Sequence, residues 1–281
     1  MKKSKIICLL LTLSMILSNL SGEELQAKRK LKSYSTTTYG WGLSQNTSHQ
    51  KPGGSGPRGW KMKRADAFYV GKQSKKDKTI YLTFDCGYEG GYTKKILKTL
   101  KKHNVKATFF VTEPYIKEAT KIVKMMKKQG HLVGNHTSTH PQMSKLSVKR
   151  LKREIRKTAK TMKRLTGYEM DPFLRPPEGN FSIRSVKVTQ SLGYATIFWS
   201  LAYYDYDPAN QPSVDYVVNR FKTYYHKGMI PLVHAVSRSN AKALPRIIKF
   251  MKKKGYRFAS LDELYPIEGE EENTAGTRQQ L

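Results

Sequence analysis

Five short stretches of the chain concentrate side chains that do chemistry. TFDCG at 83–87 sets a carboxylate, Asp85, beside a thiol, Cys86. HTSTH at 136–140 spaces two imidazoles, His136 and His140, four residues apart. RPPEG at 175–179 puts Arg175 ahead of two prolines, FWSLAYYDYDP carries Asp205 and Tyr206, and LVH at 232–234 ends on His234. A guanidinium is always charged and can fork onto a carboxylate, keeping it ionised until it takes a proton. Arg175 is therefore read as the partner of Asp85, against the plainer reading of a structural salt bridge. A histidine oriented by a carboxylate is suited to general acid work, which pairs His234 with Asp205. Two neutral imidazoles suit zinc or another borderline divalent ion. A helical turn after the strand would bring both to one side, whereas an ordinary polar turn would give them no ligand role. Cys86 has two readings, a third metal ligand or a small buried hydrophobe in the turn. Side chains on adjacent residues diverge, so Asp85 and Cys86 need not share a task. Tyr203, Tyr204 and Tyr206 could form an aromatic wall facing a sugar, or pack in the core. His49, His103, His131 and His226 lack comparable surroundings and read as ordinary surface or packing residues.

These residues need elements to hold them, and strand-like and helix-like stretches alternate along the chain. β-rich runs fall at 79–84, 107–112, 131–135, 195–200, 229–234 and 256–260, with a further one at FLRPP. Between them, helical spacing of apolar residues marks 93–103, 116–130, 148–165, a segment after Ile183, 214–225 and 239–254. The stretch 148–165 is the clearest: Val148, Leu151, Ile155, Met162 and Leu165 recur at steps of three and four. Ser147 is placed as its N-cap, with Leu146 and Leu151 positioned as a hydrophobic staple. About seven strand–helix units argue for a parallel α/β sheet, open or closed, and the length suits a barrel with fewer than eight strands. Asp85, His136, Arg175, Trp199 and His234 all lie at or just past the C-terminal ends of expected strands, the end that carries chemistry in such folds.

The ends of the chain read differently. Lys2, Lys3 and Lys5 precede an apolar run from Ile6 to Leu17, followed by small residues up to Gly22. This is the pattern of a secretory signal peptide over 1–22, with a retained anchor as the alternative. Residues 23–60 are polar, without sustained periodicity, and read as an extended leader that packs Trp41 and Trp60 on the domain or stays loose. The domain proper spans 61–266, and the acidic end 267–281 reads as a disordered tail. The chain has two cysteines; removal of Cys8 with the signal would leave Cys86 as a single thiol and no internal disulfide. Net charge is +31, or +28 with the three signal lysines gone and 49 basic against 21 acidic residues left. Such charge attracts polyanions. Export turns that preference from nucleic acid towards cell-wall polymer or anionic lipid.

Taken in order, the five motifs resemble the polysaccharide deacetylases of the NodB-homology type, carbohydrate esterase family four, over about residues 79–264. The family's TFDDG reads TFDCG here, its H-[ST]-x-x-H reads HTSTH, its third motif reads RPPEG, its Asp-Trp resembles Asp205-Tyr206, and its LxH reads LVH. YLTFDCGYEGGYT, HTSTHPQM, RPPEGNFS, FWSLAYYDYD, LVHAVSRSNAKALPRIIKF and the upstream WGL at 41–43 are most similar to the delta-lactam-biosynthetic de-N-acetylases of spore-forming bacteria. The resemblance implies a distorted (β/α)7 barrel and a divalent metal, zinc by preference. It implies Asp85 as base, Arg175 as its orienter, His136 and His140 as ligands, and His234 as acid aligned by Asp205. The Glu178 backbone N–H would stabilise the oxyanion and Tyr206 would line the substrate site. Cys86 replaces the family's second aspartate, a metal ligand, and whether it binds metal stays open.

The implied reaction is de-N-acetylation of N-acetylmuramic acid in peptidoglycan, leading to the muramic delta-lactam of spore cortex. Its partners would be glycan strands and an upstream amidase that first strips the peptide; an accessory protein is conceivable, and no nucleic acid is expected. One alternative is an N-acetylglucosamine deacetylase of peptidoglycan or chitin-like glycan. Another is an inactive protein that clasps anionic cell-wall polymer with its positive charge.

Overall fold

In the computed structural model, residues 26–265 are described, apart from Lys28, Ser74, Lys75 and Asp77. The expected signal peptide and acidic tail lie outside the described residues. No helix among the described residues is long and apolar enough to cross a membrane.

Seven parallel strands form one sheet. In chain order they are β1 (Ala67–Phe68), β2 (Thr83–Cys86), β3 (Thr108–Val111), β4 (Leu132–Asn135), β5 (Phe173–Leu174), β6 (Ala195–Ile197) and β7 (Leu232–His234). Their spatial order is β7-β2-β3-β4-β5-β6-β1. The sheet curls back on itself beyond β6. There the Ser200 amide donates to the Ile230 carbonyl and the Leu232 amide to the Leu201 carbonyl, both at 2.8 Å. This is the distorted (β/α)7 barrel expected from the motifs.

Among the described residues, the helices that accompany the strands include α1 (Thr93–Lys102), α2 (Glu113–Glu118), α3 (Thr120–Lys128), α4 (Val148–Thr166), α5 (Ile183–Gln190), α6 (Val214–Tyr224) and α7 (Arg238–Lys253). α4 starts where the sequence places it, with the Ser147 hydroxyl accepting from the Arg150 amide at 3.3 Å. Leu146 and Leu151 of the expected staple share one buried cluster. The single helix expected over 116–130 is instead two. The first begins earlier, at the Thr112 cap with Pro114 in its first turn, and the break falls at Ala119.

Strand alternation divides the side chains into two layers. On β2, Phe84 and Cys86 face the large cluster under the helices, while on β3 Phe109 and Val111 do the same. Phe110 points the other way, into the barrel, with Phe173, Ile197 and Ile230. At Gly134 a Cβ would stand 2.8 Å from both the Phe110 ring and the Phe173 carbonyl, so only glycine lets these strands close on the barrel interior. The run 79–84 does not form one strand. Thr79–Tyr81 pairs in parallel with Arg257–Ala259 outside the main sheet, and only from Thr83 does the chain enter the barrel.

The polar stretch before residue 60 packs on the barrel rather than trailing from it. Tyr39–Gly40 pairs antiparallel with Asn180–Phe181. Trp41 is buried, its indole N–H donating to the Trp199 carbonyl at 2.9 Å and its ring stacked on Phe198 at 4.6 Å. Trp60 stacks on Phe181 at 5.0 Å.

Candidate active site

At the C-terminal rim of the strands lies a cavity of about 790 Å³, lined by residues from all five motifs. Asp85 sits near the end of β2, and its inward position follows from alternation with Phe84 and Cys86 on either side. Arg175, just past β5, is wholly buried and reaches Asp85 Oδ1 with Nη1 at 2.8 Å. Its other nitrogens donate to the carbonyls of Ile197 (3.2 Å) and Phe198 (3.3 Å), and its guanidinium lies 4.3 Å over the Phe110 ring. Burial alone would raise the Asp85 pKa. The charge and hydrogen bond of Arg175, with smaller help from His136 and His234, outweigh it and hold the carboxyl below its ordinary value.

His136 follows β4. Its Nδ1 lies 2.8 Å from the Arg175 carbonyl, which can only accept, so Nδ1 carries the proton. Nε2 is left bare, 3.6 Å from Asp85 Oδ2. Burial pushes its pKa down to about 4, against the pull of Asp85. His140 also lines the cavity; its pKa too is lowered, by burial first. The two rings meet edge to face at 4.9 Å. What joins them is a loop, not the helical turn the spacing suggested: Thr137 and His140 both take left-handed backbone, with φ of 68° and 55°.

On the facing wall, His234 closes β7. Its Nδ1–H donates to Asp205 Oδ1 at 2.6 Å, and its backbone amide donates to Asp205 Oδ2 at 2.9 Å. Burial disfavours the imidazolium, but the hydrogen bond and charge of Asp205 more than offset it and raise the His234 pKa above its usual value. Asn240, in the first turn of α7, completes the arrangement. Its Nδ2 donates to Asp205 Oδ2 at 2.6 Å and to the His234 carbonyl at 3.1 Å, while its Oδ1 accepts from the Tyr203 hydroxyl at 2.9 Å. No motif pointed to Asn240, since it acts through Asp205 from the next helix. Tyr203 is thereby a positioning group rather than part of an aromatic wall.

That wall is made by Tyr206, exposed and 5.6 Å from the His234 ring, and by Tyr88, another exposed tyrosine missed in the sequence. Tyr88 lies in the glycine-rich turn after β2, and its one signal was nearness to Asp85. Glu178 stands on the rim in left-handed backbone (φ 57°), its Oε2 accepting from Gln142 Nε2 at 3.0 Å.

Cys86 is the correction. As a ligand it would have to face the cavity, but alternation turns it the other way, into the core under the helices. Burial raises its pKa well above that of a free thiol, with Asp85 and Glu89 adding to the rise. Among the described residues, no three His, Cys, Asp or Glu side chains form a complete metal-binding group. The donors that do fit a borderline divalent ion are the two imidazoles, neutral as ligands must be, with Asp85 Oδ2 beside His136.

Residues 72–197 match the family model for polysaccharide deacetylase. The chain is 41% identical over 224 residues to a peptidoglycan-N-acetylmuramic acid deacetylase of Bacillus subtilis, covering 80% of this chain and 84% of that protein. It is 33% identical over 213 residues to a peptidoglycan-N-acetylglucosamine deacetylase of Bacillus cereus, covering 74% and 75%. A solved family 4 carbohydrate esterase from Bacillus subtilis superposes with a TM-score of 0.78 at 40% identity, covering 82% of this chain and 97% of that one.

Proposed function

The chain belongs to the polysaccharide deacetylase family and is a peptidoglycan-type deacetylase, and from that premise we propose that it removes acetyl from N-acetylmuramic acid in peptidoglycan. The observation that carries the reaction is the pair of opposed groups on one cavity: Asp85 held as an anion, His234 held towards its cation. Environments that push two groups apart in this way assign one as base and the other as acid. Muramic acid is favoured over glucosamine by the 41% identity to a muramic acid deacetylase, against 33% to a glucosamine enzyme.

In this reading Asp85 takes a proton from water as it attacks the acetamide carbonyl, and Arg175 keeps the carboxylate aimed. His136 and His140 would hold a divalent ion, zinc by preference. Such an ion would polarise the carbonyl and acidify the attacking water. By family resemblance, the Glu178 backbone N–H would stabilise the developing oxyanion. His234, locked by Asp205, gives its proton to the nitrogen as the C–N bond breaks, and acetate and a free amine result. Tyr206 and Tyr88 offer aromatic faces to the sugar. The new amine then lies on the same ring as the lactyl carboxylate of muramic acid and can close on it as a delta-lactam. Closure needs that carboxylate free of peptide, so an amidase acts first. The signal pattern at the start of the chain supports a reaction outside the membrane, at the wall or spore cortex.

The test is mass spectrometry of peptide-stripped peptidoglycan incubated with the purified protein and zinc. Loss of acetyl from muramic acid, with or without a further loss of water, is expected. Loss from glucosamine alone would replace the substrate, no loss with metal bound would point to another sugar or a missing partner, and no loss with no metal bound would favour a wall-binding protein.

A further inference from the structure

Two buried carboxylates that do not line the cavity converge on the loop between the two histidines. The Thr137 amide donates to Asn135 Oδ1 at 2.8 Å. The Ser138 hydroxyl donates to Glu113 Oε2. The amide and hydroxyl of Thr139 both reach Glu154 Oε2, at 2.8 and 3.1 Å. Each residue of the loop thus has its own anchor. The loop needs them, because a β-branched threonine avoids left-handed backbone and such conformations persist only where the surroundings over-determine them.

The anchors themselves come together on α4. This helix carries Glu154, and its Ile155 carbonyl accepts from Asn135 Nδ2 at 2.9 Å. Thr161 and Lys157 of the same helix reach Glu113, at 3.2 and 3.0 Å, and Lys117 pairs with it at 2.7 Å. Both carboxylates are therefore satisfied where they lie. Two acidic groups buried beneath a loop are costly unless they are bonded in this way, and what they bond is the connection between the two imidazoles.

We propose that Glu113 and Glu154 are positioning residues for the His136–His140 pair, fixing the loop so that both imidazoles meet the cavity as a preformed divalent-cation face. This rests on the reading of that pair as metal-holding. Partners that orient ligands typically alter metal affinity by about 10- to 100-fold when removed.

The test is titration of the metal-free full chain with Zn²⁺ against a competing chelator, with thermal unfolding recorded alongside. Glu154→Ala is expected to weaken binding by about 10- to 100-fold. Glu154→Gln, which keeps an oxygen to accept from Thr139, is expected to restore most of it. Ser138→Ala, which removes only the contact to Glu113, serves if Glu154→Ala fails to fold, and is expected to weaken binding in the same direction. A purely structural role would lower the melting temperature of the variants and leave their Zn²⁺ affinity at the wild-type value, which would overturn the proposal. If the wild-type chain itself takes up no Zn²⁺, the metal-holding reading fails first and this inference falls with it.

Discussion

Asp85 and Asp205 each hold one basic partner on opposite walls of the cavity, Arg175 at 2.8 Å and His234 at 2.6 Å. On one wall the carboxylate faces the cavity and the base is hidden; on the other the base faces the cavity and the carboxylate is hidden. Side-chain exposure makes the exchange plain: 6% for Asp85 against 0% for Arg175, and 23% for His234 against 0% for Asp205. The hidden member sets the protonation of the other. In the proposed reaction, Arg175 would keep Asp85 ready to accept a proton, and Asp205 would keep His234 ready to give one. The same kind of ion pair would there serve as base or acid according to which end is turned to the cavity.

The largest effect should come from Asp85→Asn. Loss of a general base costs about 10²- to 10⁴-fold in rate. It also leaves Arg175 buried without its counter-charge, a break that costs about 3–5 kcal/mol. Acetate release and urea unfolding would read the two losses separately. His234→Asn should lose a similar factor in rate, about 10²- to 10⁴-fold, but only about 1–2 kcal/mol of stability. Asp205 keeps two donors without the imidazole, Asn240 Nδ2 and the backbone amide of residue 234. Equal stability losses in the two variants would break the comparison, because the walls would then be equally dependent on their exposed members.

The pH profile sharpens it. The His234 pKa is raised, so the proton it must donate is present at low pH and lost as pH rises through that value. The stability this pair contributes has the same sign, complete below the unfolded value near 6.5 and lost as pH rises through the folded one. Asp205→Asn removes the hydrogen bond and charge that lift the pKa and leaves burial, which lowers it. The alkaline fall in rate should then move to lower pH. An unmoved limb would mean that a different group supplies the proton.

Both ion pairs were legible in the sequence because each member stands at a strand end or in a short motif, and the parallel barrel gathers such ends on one rim. α4 was legible almost to the residue, since its cap and its apolar spacing are local signals. What escaped depends on partners distant in the chain. The 79–84 run splits because its first residues pair with Arg257–Ala259, about 180 residues on, a choice that local β-propensity does not record. His136 and His140 were paired by spacing, but the backbone that joins them is held by Glu113 and Glu154, which carry no motif. Asn240 reaches the site through Asp205 and left no local trace, and Tyr203, noticed only as an aromatic, reaches it through Asn240.

The smallest effect should fall on the residue next to the base. Cys86 follows Asp85 on β2, and one step along a strand exchanges the cavity for the core. Cys86→Ala removes one buried sulfur from the cluster under the helices and should cost about 1 kcal/mol. Rate and Zn²⁺ affinity should stay at the wild-type level, because the thiol does not line the cavity and its burial beside Asp85 and Glu89 opposes the thiolate that a metal needs. Zn²⁺ titration of the variant decides the point. A large loss of affinity would show that β2 presents two neighbouring side chains to one ion, and the division of labour along the strand would have to be abandoned. Unchanged affinity would leave the two imidazoles as the protein's nitrogen donors and make the cysteine's place in the motif a matter of packing.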